Sequence, residues 1–578
     1  MAEAQTCPLC GGPVQIQKSK KRPVITLQAG VFAAKEIRKQ CIQDPSHPVM
    51  GSAALSRLVK PRQRYSYELI VYVGLARYLS GKQRAEIREG LLETHRIKLS
   101  EGSVSNLCAR FLHYLEALHL SRVPQFRQLL QEEGYPLHLD ATCERGKGGL
   151  MVAMHGWRRW VLMAKRIPSE NEVYIRPLVA QTTALFGDPI ATVHDLGDAM
   201  TKAVAPLQAR GIPDFVCHYH FLGAVGEKLF DQPYRFLRNI LRQSKVQRDL
   251  RDLLRELRHY RRCETYVGRF GPGPIREDLL ALVLWLLEGD GKKRLLYPFR
   301  LFHLEFFQRC QQALHKAESW VPTPRTQAEH RAIKHLSTRI NRLRRDRRFS
   351  TVVTRLEIAW QGFCELRDVL QLSNAELPNG EARQHQMAIP ALEARRVQLI
   401  ETATKAYQKE LRERVANANT TAPSTAGVIL KYFKDYGKRL FGHPTRRDVD
   451  GSILAVVERT NNVPEHFFGH EKHKLRRRLG RAHLARDLED QPAQAALAAN
   501  LQYPDYVRPL CGSLENLSAA FAELDEQALK KANPILRSNR DTELFRRVRA
   551  LLNRPNDIAT GDSEVRDTCT INTDATVV

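Results

Sequence analysis

Three runs decide how this chain folds: YPLHLDATC (135–143), PIATVHDLG (189–197) and PDFVCHYHF (213–221). The first alternates apolar and polar residues, the period of a β-strand, and predicts a strand ending near Asp140. GLMVAMHGW (149–157) and RWVLMAKRI (159–167) follow as two more strands, with the charged CERGKGG (143–149) before them. NEVYIRPLVAQTTALFG (171–187) then reads as a helix, and PIATVHDLG as a buried strand closing on Asp195. DAMTKAVAPLQARG (198–211) is a helix stopped by glycine, and PDFVCHYHF returns to a strand.

Three antiparallel-type strands, then helix, strand, helix and strand, is the order of a ribonuclease-H-like sheet. In that layout Asp140 lies in the first strand and Asp195 at the end of the fourth. These are neighbouring central strands, so the two carboxylates could share a divalent ion; hard oxygen ligands suit Mg²⁺ or Mn²⁺. HLDAT, HDLGDA and CHYHF in this succession resemble the catalytic domain of DDE transposases, most closely the Mutator-like group and its bacterial insertion-sequence relatives. That set carries Cys or Asp, two residues, then His after the second Asp, which Cys217 and His220 match. The resemblance implies a role near the site for both, and packing and hydrogen bonding are favoured over metal ligation. One departure is that Leu196 stands where glycine commonly follows the second Asp. Asp198 is therefore a rival, although its place at a helix start favours N-terminal capping.

Residues 232–449 have almost wholly helical patterning and are too long for a linker, so they form an all-α domain; RINRLRRDRR (339–348) is its most basic helix. LPNGEARQHQ (377–386) and NANTTAPST (417–425) read as loops. An all-helical insertion between the second Asp and the Glu is what the resemblance implies. Beyond it, in VERTNNVPEHFFGHEKHKLRRRLGR (457–481), the run TNN, two residues, then Glu465 is similar to the transposase motif opening the last catalytic helix. Asn461 or Asn462 would cap that helix, with Glu465 in its first turn. Glu458 and Glu471 are rivals on spacing alone, and the family pattern selects Glu465. Lys472, Lys474, Arg476, Arg477, Arg478 and Arg481 add a basic face suited to phosphates.

At the N-terminus, Cys7 and Cys10 form a CPLCGG knuckle, with Cys41 and His47 as the second pair of a structural zinc site in a ribbon over 1–60. Short strands are expected at RPVITLQAG and KEIRKQC between the pairs. Residues 61–125 read as three helices resembling a helix-turn-helix. Ser100 would cap the third; Ser103, Ser105 and Asn106 would face a DNA groove, with Val104, Leu107 and Phe111 in the core.

The domain reading is completed by 130–231 and 450–482 as the two parts of the catalytic core, 483–555 as an unspecific helical region, and 556–578 as a polar disordered tail. In the full chain, 90 Lys and Arg face 63 acidic residues, a net charge of +27 in 578 residues, which points to polyanionic partners. Double-stranded DNA is the expected partner, and the resemblance implies a homodimer, since transposases commonly pair to join two ends. No apolar run is long enough to span a membrane, and eleven irregularly spaced cysteines do not form a disulfide framework, so a bacterial cytoplasmic, nucleoid-associated location is expected. The absence of P-loop and G-x-S-x-G patterns disfavours an ATP-driven motor and a serine hydrolase. The functional expectation is thus a transposase that cuts and joins DNA. The alternatives are a catalytically silent descendant that only binds DNA, and a nuclease acting on RNA or branched DNA.

Overall fold

The computed structural model describes residues 5–144, 147–262, 274–289, 296–320, 327–372, 390–417, 424–481, 483–524 and 526–532. The loop expected at 377–386, most of that at 417–425, the region beyond 532 and the tail 556–578 lie outside the described residues.

Strand β1 (Val14–Thr26) pairs antiparallel with β2 (Gly30–Cys41), from Val14 opposite Cys41 to Thr26 opposite Gly30. These strands are longer than the two short ones predicted, and LQA (27–29) forms the turn between them. In a two-stranded ribbon most side chains stay solvated, so the lysine-rich QKSKKR run continues the strand without apolar alternation. Helix α1 (Ala53–Leu58) is capped by Ser52. Then come α2 (Tyr67–Gly74), which runs into a wider turn at Leu75–Leu79, α3 (Arg84–His95), α4 (Glu101–Ser121) and α5 (Val123–Glu133). Ser100 accepts the Ser103 N–H at the start of α4, and Val104, Leu107 and Phe111 are fully buried.

Helices α2 and α4 meet at Gly74, where an added Cβ would stand 2.0 Å from the Phe111 ring. Gly74→Ala should therefore lower stability by about 1–3 kcal/mol through overpacking. A thermal or urea unfolding midpoint unchanged from wild type would contradict this close approach.

The central sheet contains β3 (Pro136–Glu144), β4 (Lys147–His155), β5 (Val161–Ile167), β6 (Ala191–His194) and β7 (Asp214–Val216), in the spatial order β5-β4-β3-β6-β7. β3 and β5 run antiparallel to β4, whereas β6 lies parallel to both β3 and β7. The strand predicted to end near Asp140 continues to Glu144, because β4 folds back along it and pairs Thr142 with Leu150. β6 and β7 are buried along their whole length, as parallel strands covered on both faces must be. Helices α6 (Glu172–Phe186) and α7 (Asp198–Gln208) make the crossovers and pack on one another.

Helix α8 (His218–Ser244) leaves β7 and runs into the helical block, so the boundary expected at 231 falls inside a continuous helix. The block includes helices Val246–Arg262, Pro274–Glu288, Phe302–Trp320, Gln327–Arg345, Arg347–Val369, Pro390–Ala416 and Thr425–Tyr436. One apolar cluster joins Val216 and Phe221 to Phe306, Phe349, Phe363, Ile429 and Leu440, so the block shares its core with the sheet's edge. A small hairpin, β8 (Thr445–Arg447) and β9 (Ile453–Val456), precedes the helix Asn462–Leu479.

The segment after that helix closes over the sheet and the N-terminal helices. Asn500 bonds both the N–H and the carbonyl of Val161 on edge strand β5, satisfying groups an edge would leave open. Tyr506 packs against Phe126 and Trp160, and Phe521 against Phe111 and Tyr114. The described chain is thus mixed α/β and mostly helical, built around one mixed sheet. None of its described helices is long and apolar enough to cross a membrane.

Candidate active site and metal centre

Asp140 stands mid-strand on β3, the centre of the sheet, half-buried, with Oδ1 accepting the Ala141 N–H at 2.8 Å. Asp195 follows the last residue of the neighbouring β6, and its Oδ1 accepts the Gly197 N–H at 3.0 Å, which shapes the turn into α7. Glu465 lies in the first turn of helix Asn462–Leu479. The Asp140 carboxyl is raised well above the usual carboxylate range. Burial is the main cause and the charge of Asp195 the second; Glu465 and the exposed Glu170 add to it against the Ala141 hydrogen bond. Glu170 was not anticipated from sequence, because it lies in an exposed turn outside any motif.

The rivals face elsewhere. Asp198 is exposed and pairs with Lys202 at 2.6 Å. The capping predicted for it is not made: Gly197 holds the cap position and no side chain bonds there. Glu458 is half-buried, its carboxyl pushed up to about 7 by burial, and its charged neighbours are Arg159 and Glu393. Glu471 pairs with Lys474 at 3.1 Å.

What brings Glu465 to the sheet is Asn461, which is fully buried. Its Nδ2 donates to the Leu139 carbonyl on β3 at 2.9 Å, across 322 residues of sequence. Its Oδ1 can only accept, so the Nδ1 of His138, 3.1 Å away, carries the proton. Burial holds His138 down to about 4, which keeps the ring neutral for this bond. Asn461 thus occupies the cap position but spends its side chain on β3 and makes no cap bond, contrary to the capping role predicted. Asn462 is exposed as the first helical residue.

Cys217 and His220 flank the same junction. The buried Cys217 Sγ accepts the Asn461 N–H at 3.2 Å, and burial pushes its thiol up to about 12, which keeps it protonated. His220 Nε2 stands 3.5 Å from Glu465 Oε1. Beneath Asp195, the buried Asp214 binds His194 Nε2 at 2.9 Å, Thr192 at 2.7 Å and Arg439 at 2.5 Å. Burial alone would raise Asp214, but these partners hold it below the ordinary range. Sequence reasoning missed Asp214 because nothing along the chain signals its distant partner Arg439.

The N-terminal cluster is geometrically closed. One ligand atom each from Cys7, Cys10, Cys41 and His47 lies within 4.8 Å of all the others, so the group could hold a metal ion such as zinc. The knuckle is drawn tight by Gly11 N–H to the Cys7 carbonyl and Cys7 N–H to the Gly12 carbonyl, both 2.8 Å. Gly11, at φ +70°, takes the left-handed turn that other residues resist. Cys7 is lowered to about 6, chiefly by the backbone N–H groups of Cys10 and Leu9. His47 Nδ1 faces Cys7 at 3.4 Å, while its Nε2 meets Asp44 at 3.3 Å, the outer contact that fixes a ligating imidazole. Among the described residues this is the only set of three or more such ligands at that spacing; Asp140, Asp195 and Glu465 do not close to it.

Ser103, Ser105 and Asn106 are half-buried on α4, with Ser103 bonded to Ser100 and Ser105 reached by Arg84. Of the basic run, Arg476, Arg477 and Arg481 are exposed and Lys472 and Lys474 half-buried, Arg481 lying 3.6 Å from Asp487. Arg478 departs from the basic face predicted: it is buried and donates to the Arg77 carbonyl at 3.3 Å. Three residues after the buried Leu475, it falls on the helix's inner side and ties the Glu465 helix to the wider turn Leu75–Leu79 that follows α2. No protein-family model matches the chain, and a search of curated proteins returns no match.

Proposed function

We propose that the protein is a DNA transposase of the DDE type, with Asp140, Asp195 and Glu465 as the catalytic carboxylates of a ribonuclease-H-like core. The observation that carries this reading is the placement of three carboxylates from distant parts of the chain: Asp140 on the central strand β3, Asp195 directly after the neighbouring β6, and Glu465 in the first turn of a helix tied to β3 through Asn461. Like charges gathered in this way repel unless a cation joins them. Among the described residues, no Lys or Arg ion-pairs with Asp140 or Asp195. The sheet order and directions, with three antiparallel strands beside two parallel ones, support the same reading.

The donor set is all hard oxygen and fits Mg²⁺ or Mn²⁺. Asp140, Asp195 and Glu465 would be the residues that hold it. When bound, such ions activate a hydroxyl nucleophile and stabilise the leaving oxygen of a phosphodiester. The protein's own part would be positioning: neighbouring strands β3 and β6 lead to Asp140 and Asp195, and the Asn461 bond to the Leu139 carbonyl ties the start of the Glu465 helix to β3. The Cys₃His group fits a structural zinc that closes the open end of the ribbon, where Val14 faces Cys41.

His220 is read as a positioning residue for Glu465. His220→Ala should lower cleavage about 10–100-fold, the usual cost of losing an outer-shell partner, with duplex binding unchanged. An equal loss of binding would count against that role. One observation favours a second reading, a DNA-binding protein without catalysis: the three carboxylates do not reach common ligand spacing. Incubation with linear DNA carrying the sequences that flank the gene separates the two. Strand cleavage in Mg²⁺ but not in Ca²⁺ supports the transposase, whereas binding without cleavage in Mg²⁺ supports the alternative.

A further inference from the structure

A cleft of about 320 Å³ opens between β1, the 60–66 loop and α4. Four arginines line it: Arg22, Arg62, Arg64 and Arg110, with Ser103 and Asn106 of α4 on the same wall. They are held together rather than scattered. Arg22 donates to the Gln63 carbonyl, and Arg110 to the Gln63 side-chain oxygen at 2.9 Å. The guanidinium carbons of Arg64 and Arg110 lie 4.6 and 5.9 Å from the centre of the single Tyr65 ring. Arg62 takes φ 65°, a left-handed conformation uncommon for a residue with a side chain.

Arg22 has a carboxylate partner, Glu36 at 3.1 Å. Among the described residues, none ion-pairs with Arg62, Arg64 or Arg110. Three like charges converging on one concave surface repel one another and are relieved by an anion. Guanidinium forks match phosphate oxygens in pairs, as ammonium groups do not.

We propose that this cleft is a phosphodiester-binding site that grips the backbone of duplex DNA and seats the start of α4 against it. A duplex fits better than a single strand because the aromatic ring here, Tyr65, is buried beneath Arg64 and offers no face for an unpaired base. Backbone contacts fix register, and Ser103 and Asn106 stand beside them to reach base edges. The site shares no residue with the carboxylate cluster.

The test is fluorescence anisotropy with a labelled random-sequence duplex and the full chain, without added divalent cation, so its outcome is independent of catalysis. Arg62→Ala/Arg64→Ala should weaken binding about tenfold or more and flatten the slope of log affinity against log salt by about 2, one unit for each phosphate no longer neutralised. Ser103→Glu, which adds a negative charge without removing a partner of Tyr65, should weaken binding in the same direction. Arg342→Ala/Arg345→Ala, at exposed positions of the helix Gln327–Arg345, is the equal-charge control and should lose less. The proposal is overturned if the control loses as much or the cleft variants bind like wild type. It is equally overturned if inorganic phosphate saturates the protein without displacing the duplex, or if single-stranded RNA competes better than unlabelled duplex.

Discussion

Asp140→Ala is expected to reduce metal-dependent DNA cleavage by about 10³-fold or more while leaving duplex affinity within about twofold. On the proposed reading the size of the loss follows from its place, on the central strand β3 between the strand that leads to Asp195 and the helix that carries Glu465. Asp195→Asn and Glu465→Gln should fall similarly, and the double variants little further, if the three act as one unit as proposed. Stability should move the opposite way. The Asp140 carboxyl is raised in the folded state, so the native protein binds more protons than the unfolded chain as pH rises above the ordinary carboxylate value, and stability falls across that window. In metal-free protein at neutral pH, Asp140→Asn removes that penalty and should raise the unfolding midpoint. Lower stability together with lower activity would mark Asp140 as a structural residue instead.

Disabling the N-terminal Cys₃His group, which could hold a metal ion such as zinc, should have the second large effect. A two-stranded ribbon is marginal alone, and only a small cluster of Val24, Ala34, Leu55 and Val59 backs this one. A zinc ion bound by three cysteines and a histidine contributes on the order of 10 kcal/mol to comparable small domains. Cys7→Ser/Cys10→Ser should abolish one equivalent of zinc measured by elemental analysis and expose β1 and β2 to protease. Duplex binding should drop at least about tenfold, since Arg22 of the basic cleft rides on β1. A chain purified without zinc, with the ribbon intact and DNA affinity unchanged, would remove the metal from the account.

Much of the central sheet was legible in the chain. Apolar runs of strand period alternate there with helices ended by glycine, so β3 to β7 could be placed in order. Asp140 and Asp195 were legible as strand-associated carboxylates for the same reason. Register and ends were harder: β3 extends past Asp140 only because β4 pairs with it, a non-local cause. β8 and β9, of three and four residues, are too short to show a period. The clasp made by Asn500 and Tyr506 was illegible because single residues in short helices do that work. Asn461 was legible as a helix opener, yet its actual partners, Leu139 and His138, are hundreds of residues away. Arg478 misled in the opposite sense: within a basic run it reads as solvated, while helical phase turns it inward beside Leu475.

The measurement closest to the centre of the account is calorimetric titration of Mn²⁺ into the zinc-loaded chain, compared with Asp140→Asn, Asp195→Asn and Glu465→Gln. Saturable uptake by wild type, lost in each variant with zinc content unchanged, is the result predicted. Mn²⁺ uptake that is absent from wild type, or the same in all four proteins, would contradict a shared metal site at these carboxylates.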